Sequence, residues 1–460
     1  MDKYLKRPKS EPEVRKGRFE KFYLTENPFP SSPFVNPESN DARSNGRIYE
    51  PNIRTQEYAN VKKNFLAFPQ SDPNHLRLGY IVDTSYIGRG NGKSAFLVNL
   101  QKEINKDFGL SISSGVNKCF ALVLSPEPKG MTKTFDSFVD LLVHSIFRSN
   151  IVEECLTILR VEAILSLNPK MNAKKVFANE EDIKEKVNSV EWYKSQNINF
   201  REVTQQIMGN VHLQNLPATF PLNPVGLFDF EPPTQKTFEN YYRSLKKGKE
   251  RIEFTFSHLV DLFLAAGIGG AYVFVDDFER IPDFQSERQK RDFALEIRTC
   301  LFDGMYTSAK VGFYVFFLVL HAGVPRLIQK AWEESGLEHR APIFYKGMPR
   351  NIIQFEKITP EHVSLLIKKY LNEYRVKGSS VSSLSPFHRD AISFIAESNE
   401  YNASKILKKA YEILEQAADK EIETIDVGFI KSLESDNSVE ERPSSGIHDA
   451  ATTDLRDKTD

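Results

Sequence analysis

Cysteine is nearly missing from this chain. Three occur in 460 residues, Cys119, Cys155 and Cys300. They are odd in number, far apart and without metal-ligand spacing, which excludes a disulfide framework and a zinc module and suits a reducing compartment. A cytoplasmic location is expected. An excess of one charge is also missing, with 61 Lys+Arg against 62 Asp+Glu. No global basic field argues for nucleic acid, so any DNA contact has to come from a local patch. Long apolar runs are absent too. The longest, VGFYVFFLVL at 311–320, has about half the length needed to cross a bilayer and reads as a fully buried strand. The opening MDKYLKRPKSEPEVRKGR is charged and has no apolar stretch of the kind a signal peptide needs. No membrane partner is expected. What is present is ordinary for a globular protein of two or three domains, 40% apolar and 27% charged residues. No internal repeat is visible.

Residues 1–46 read as a disordered or extended arm, rich in Pro, Ser and Asn after position 21. A helix is expected from about Thr55 in RTQEYANVKKNFLAF. Strands and helices then alternate. GYIVDTSY (79–86), CFALVLSP (119–126), AYVFVDDF (271–278) and 311–320 read as buried strands, whereas 93–108, 135–165 and 254–267 read as helices. This order predicts an α/β core at 47–358 built on a mostly parallel sheet with helices on both faces. Residues 168–250 are polar with short amphipathic pieces and read as an insertion of unassigned fold. From Thr359 the pattern becomes wholly helical. Apolar residues recur at i, i+3, i+4 in three stretches that open after Thr359, Ser385 and Asn402, which predicts a small helical domain over 359–433. Residues 434–460 are polar and expected to be disordered.

The strongest motif is IVDTSYIGRGNGKSAF, a buried strand running through a glycine-rich loop into a helix that starts near Lys93. That is the context a phosphate-binding P-loop requires. Gly88, Gly90 and Gly92 let consecutive backbone N–H groups turn inward around phosphate oxygens, with Arg89, Asn91 and Ala95 completing the cradle. The helix N-terminus adds its own N–H groups and dipole. Lys93 is placed to reach the β- and γ-phosphates, and the Ser94 hydroxyl to ligate Mg²⁺. The consensus would put its first glycine at position 87, which is Ile87 here, so Gly88 has to take over the turn.

AYVFVDDFERIPDF is an apolar strand ending in Asp276, the acid expected to hold Mg²⁺ next to Ser94. The acid after it, Asp277, is expected to orient or deprotonate an attacking water, with Glu279 as the competing candidate.

With these motifs the chain resembles AAA+ ATPases, especially the origin-recognition-like and STAND clades of microbial ATPases, over about residues 47–433 without the insertion. The resemblance implies bound ATP and Mg²⁺, an AAA+-like P-loop core and a helical lid at 359–433. It makes RIYEPNIRTQEYANVKKNF the segment that packs on adenine, in which Arg54 and Glu57 open a helix and Tyr49 and Ile53 line the pocket. VDDFER also looks like the paired-aspartate strand end of STAND and KAP-type ATPases. His321, after the strand at 311–320, takes the sensor 1 place, where the family carries Asn or Thr. Arg340 and Arg350 are the candidates for a finger acting on a neighbour's γ-phosphate. The family's sensor 2 motif aligns with residues 401–404, so Ser404 stands in the arginine's place with Lys405 beside it.

These observations lead to the expectation of an ATPase that couples its nucleotide state to assembly or conformational change, in a DNA-linked setting such as phage defence, mobile-element function or replication loading. A homo-oligomer, a protein partner and DNA are the expected partners. Basic and aromatic residues mix in YYRSLKKGKERIEF (241–254), which could serve a DNA channel but more readily reads as a solvated charged helix. The winged-helix domain that follows the lid in origin initiators is not expected after residue 433. The alternative is a switch scaffold that turns over little and recruits an effector. A P-loop kinase is a further rival, disfavoured by the helical domain after the core.

Overall fold

The computed structural model describes residues 17–36, 39–69, 72–83, 90–116, 118–172, 176–222, 232–321, 324–343, 349–420 and 422–440. It divides into two compact units. The larger comprises 32–358 with 402–404, and the smaller 1–31, 359–401 and 405–460.

The larger unit is α/β. Its five strands are β1 (Leu78–Asp83), β2 (Cys119–Leu124), β3 (Gly270–Val275), β4 (Tyr314–Leu320) and β5 (Ile352–Phe355). They form one sheet in the order β2-β3-β4-β1-β5, and every pairing is parallel. The strands read as continuous apolar runs because both faces are covered; β3 and β4 are buried at every position. Alternation along the backbone then assigns side chains to two cores. Tyr80, Leu122, Val273 and Phe316 pack on one face, while Ile81, Ala121, Phe274 and Phe317 pack on the other.

Handedness decides which helix covers which face. The connection from β1 runs toward β2, whereas those from β2, β3 and β4 run the opposite way, and right-handed crossovers put these two groups on opposite faces. Accordingly α1 (Thr55–Val61), the π turn after it and α2 (Lys93–Asn105) join Ile81 and Phe317 through Val61, Phe65 and Phe96. The other face receives α3 (Phe135–Arg148), α4 (Ile151–Leu167) and the helices Glu287–Leu301 and Val324–Glu334.

The helix expected at 135–165 is two helices. Asn150 adopts a left-handed conformation (φ 58°) and breaks the run between α3 and α4. Where described, the segment 168–250 contains short helices, such as Glu180–Val187, Phe200–Met208 and Gln235–Ser244, with turns between them. Its Val203, Ile207, Phe238 and Tyr242 share one core with α4, so its short amphipathic pieces are stable by packing rather than by length.

The smaller unit contains helices Pro360–Glu373, Arg389–Ser398, Ala403–Asp419 and Val427–Glu440. Thr359 closes a capping box with His362, and Pro360 fills the first helical position. The second helix is capped by His388 rather than starting after Ser385. Phe387 forms a bridge to Ile425, which holds that stretch extended. The arm is extended but attached: Phe22, Leu24 and Phe29 are buried, and Phe29 contacts the rings of Tyr370 and Phe387. The last helix passes the expected boundary at 434, with Ile430 buried and Lys409 paired to Glu434 at 3.3 Å. Residues 441–460 and 1–16 lie outside the described residues.

Candidate functional site

Neighbouring strands β1 and β4 send their following connections to opposite faces of the sheet. In open α/β sheets a crevice opens at the carboxyl ends of such a strand pair and serves as the ligand site. Asp83 ends β1 and His321 follows β4 directly, so the fold brings both to this crevice. Asp276 follows β3, the next strand along.

Helix α2 starts from the same edge. Its cap is Gly92, left-handed at φ 83°, and no side chain caps the first turn. Gly90 has φ 118°, and a Cβ there would lie 2.5 Å from both Asn402 Oδ1 and Ser404 Cβ, so only glycine fits. The Ser404 N–H donates to the Gly90 carbonyl at 3.0 Å, and the Ser404 hydroxyl to the Pro33 carbonyl at 3.4 Å. Gly88 and Arg89 lie outside the described residues.

Three polar groups converge on Asp83, which is 3% exposed. Lys93 Nζ donates to Oδ2, Asn91 Nδ2 donates to Oδ1 at 3.0 Å, and His321 Nδ1 lies 3.2 Å from Oδ2. Burial works against the Asp83 carboxylate, but the His321 hydrogen bond, the Lys93 charge and Asn91 overcome it and hold the group below its ordinary value. His321 Nε2 faces Glu279 Oε1 at 3.1 Å and Asp277 Oδ1 at 3.7 Å. With carboxylates at both ring nitrogens, imidazolium is the form that can donate at each. Burial opposes that charge, yet the facing carboxylates of Asp277, Asp83 and Glu279 outweigh it and push His321 up to about 10. Asp277, Glu279 and His321 also offer ligand atoms within 4.8 Å of one another.

Beside this cluster, Ser94 Oγ donates to Asp276 Oδ2 at 2.5 Å. Burial pushes the Asp276 carboxyl up, and the Ser94 hydrogen bond only partly offsets this. A buried carboxylate next to a hydroxyl, with a further acid following it, is a donor set that fits a hard divalent cation such as Mg²⁺. Asp277 itself is left-handed (φ 49°), and its Oδ2 accepts from Arg280 at 2.5 Å. Arg280 also donates to the Pro126 carbonyl at 3.2 Å. The chain matches no protein-family model and no curated protein at a significant level.

The other sequence-selected residues lie apart from this cluster. A cavity of about 300 Å³ opens beside α1 and α2, lined by Tyr49, Tyr58, Phe96, Leu100 and Glu103 among others. Ile53, at the end of the short turn Pro51–Ile53, is not among its lining residues. Ala95 sits in the first turn of α2, where its carbonyl accepts from Asn99. Arg350 precedes β5, on the amino edge of a parallel sheet, with its guanidinium 4.9 Å from the Phe68 ring centre. Arg340 ends the turn Leu337–Arg340 and bears on Arg77, just before β1. Both arginines are therefore at the opposite edge of the sheet from Lys93. Lys405, in the smaller unit, pairs with Glu400 at 3.1 Å.

Asp83 is a site residue that the motifs do not single out, although its strand carries a signal. An apolar strand ending in an acid is the pattern that singled out Asp276, and β1 repeats it. Arg280 carried no such signal; its role depends on the turn that Asp277 begins.

Proposed function

We propose that the chain is an ATP-binding, Mg²⁺-dependent P-loop ATPase of the AAA+ type, which couples its nucleotide state to assembly or conformational change. The observation that carries the reading is the convergence of Lys93, Ser94 and Asp276 at the carboxyl edge of the sheet, beside the β1/β4 crevice. In this reading Lys93 exchanges Asp83 for the β- and γ-phosphates. The uncapped first turn of α2 supplies backbone N–H groups to the same anion. Ser94 and Asp276 are the residues that would hold Mg²⁺, which neutralises charge developing on phosphate oxygens. Glu279, held by His321, and Asp277 are the acids near the γ-phosphate side that can orient water. The cavity beside Tyr49 is the place for the base. The helical unit takes the part of the lid. Arg350 or Arg340 would act on a neighbouring subunit, since neither is near Lys93 in its own chain. A cytoplasmic, DNA-linked setting rests on the family resemblance.

A second reading, a switch that holds nucleotide and turns it over little, is favoured by one observation. The acid after Asp276 is an aspartate already engaged by Arg280. Titration with a fluorescent ATP analogue in the presence of Mg²⁺ tests the proposal. Lys93→Ala is expected to abolish binding, because no other lysine lies in the loop; unchanged affinity refutes the P-loop assignment. Steady-state turnover then separates ATPase from switch.

A further inference from the structure

Arg54 is a charged residue that the proposed chemistry does not use, and it is 4% exposed. It sits where the short turn Pro51–Ile53 passes into α1. One guanidinium nitrogen donates to Glu57 Oε1 at 2.7 Å and to the Glu356 carbonyl, just after β5, at 3.0 Å. The other donates to the Asn91 carbonyl in the glycine-rich loop at 2.6 Å. The guanidinium carbon stands 4.7 Å from the Phe355 ring centre, and that ring packs edge-on against Phe96 of α2. One side chain thus joins α1, the end of β5 and the loop.

The contact at Asn91 has a directional consequence. A trans peptide is planar, and its C=O and N–H point opposite ways. Fixing the Asn91 carbonyl on Arg54 therefore aims the Gly92 N–H away from Arg54. The Asn91 side chain donates to Asp83 at the same time, so the residue is held at both ends. Gly92, at φ 83°, needs the left-handed conformation in which this peptide plane connects the loop to α2.

We propose that Arg54 is a positioning residue of the site: it sets the Asn91–Gly92 peptide so that the Gly92 N–H faces the anion bound at Lys93. The anion itself rests on the nucleotide reading above; the peptide orientation does not. Arg54 touches no reacting atom and acts through the loop backbone. Its fork geometry matters more than its charge, because two carbonyls and one carboxylate accept from it in different directions.

The test reads the peptide directly. Labelling asparagine with ¹³C at the carbonyl and glycine with ¹⁵N leaves two Asn-Gly amides visible, those of Gly46 and Gly92. Arg54→Lys keeps the charge beside Glu57 and so keeps the fold. Arg54→Leu combined with Glu57→Leu removes both buried charges together. In each the Gly92 resonance is expected to move and its hydrogen exchange to quicken, with Gly46 unchanged. Glu57→Gln, which leaves the Asn91 contact, is expected to leave Gly92 in place. Binding of Mg-ATP to the Arg54 variants is expected to weaken by about tenfold or more, the worth of a hydrogen bond to a charged group. An unmoved Gly92 amide in Arg54→Lys overturns the proposal, whether or not the double variant folds. A displaced Gly92 amide in a protein whose wild type binds no Mg-ATP upholds the positioning role and refutes the nucleotide reading instead.

Discussion

Replacing His321 by glutamine removes a cation that three carboxylates share. In the wild type the ring faces Asp83 at 3.2 Å on one side and Glu279 at 3.1 Å and Asp277 at 3.7 Å on the other, with Lys93 Nζ at 3.4 Å as an opposing charge. The folded imidazole is pushed up to about 10 from an ordinary 6.5. A raised value means that the folded protein holds a proton the unfolded chain gives up. The stabilisation is complete below pH 6.5, declines by roughly 1.4 kcal/mol per pH unit above it and is gone past pH 10. The ceiling is roughly 5 kcal/mol, from that slope over the interval between the two values. Urea unfolding at pH 6, 8 and 10 measures it. Both tryptophans, Trp192 and Trp332, lie in the same unit as His321, so their fluorescence follows the relevant transition. The wild type should exceed His321→Gln by the widest margin at pH 6, and the two should converge toward pH 10. A margin that is constant with pH, or that widens as pH rises, refutes the imidazolium assignment. Asp83, held below its ordinary value, acts at the other end of the scale: its contribution is present above the ordinary carboxylate range and is lost as pH falls through the folded value.

Two further sets of substitutions separate the roles of individual residues. Asp276→Asn should weaken Mg²⁺-dependent nucleotide binding, because Asp276 shares its oxygen with Ser94. Asp277→Asn should leave ATP bound and nearly stop hydrolysis; if Glu279→Gln alone stops it, Glu279, the acid held at His321, is the catalytic one. Gly79→Ala should destabilise the sheet by about 1–3 kcal/mol in urea melts, since a Cβ there meets Phe65 at 2.6 Å and Phe317 at 3.0 Å, both rings fully buried. A melt that matches wild type would show that Phe65 can yield.

Strands β1 to β4 were legible because each is a short apolar run with both faces covered, and no surface requirement interrupts it. The glycine turn at 90–92 and the start of α2 at Lys93 were legible because their parts are contiguous. The network around Asp83 was not, since it joins residues 83, 93, 279 and 321 that only the strand order brings together. Arg54 belongs to the same class: its carbonyl partners lie at 91 and 356. The helices of the 168–250 segment were hidden for another reason. They are short, as at Glu180–Val187 and Phe200–Met208, and hold their shape through Val187, Val203 and Ile207 against α4 rather than through their own propensity.

The docked arm sets an order of events during synthesis. Arg18 pairs with Glu415, 397 residues later, and Phe29 inserts its ring beside Tyr370 and Phe387. At about 5–20 residues per second, the arm emerges roughly 20–80 s before its partner at 415 exists. The α/β unit, whose strands end at Phe355, is complete within that interval. Phe22, Leu24 and Phe29 are therefore without their native cover while the core forms, so the smaller unit closes last. A fusion or a pause placed between 360 and 415 lengthens the time during which those rings stand unprotected.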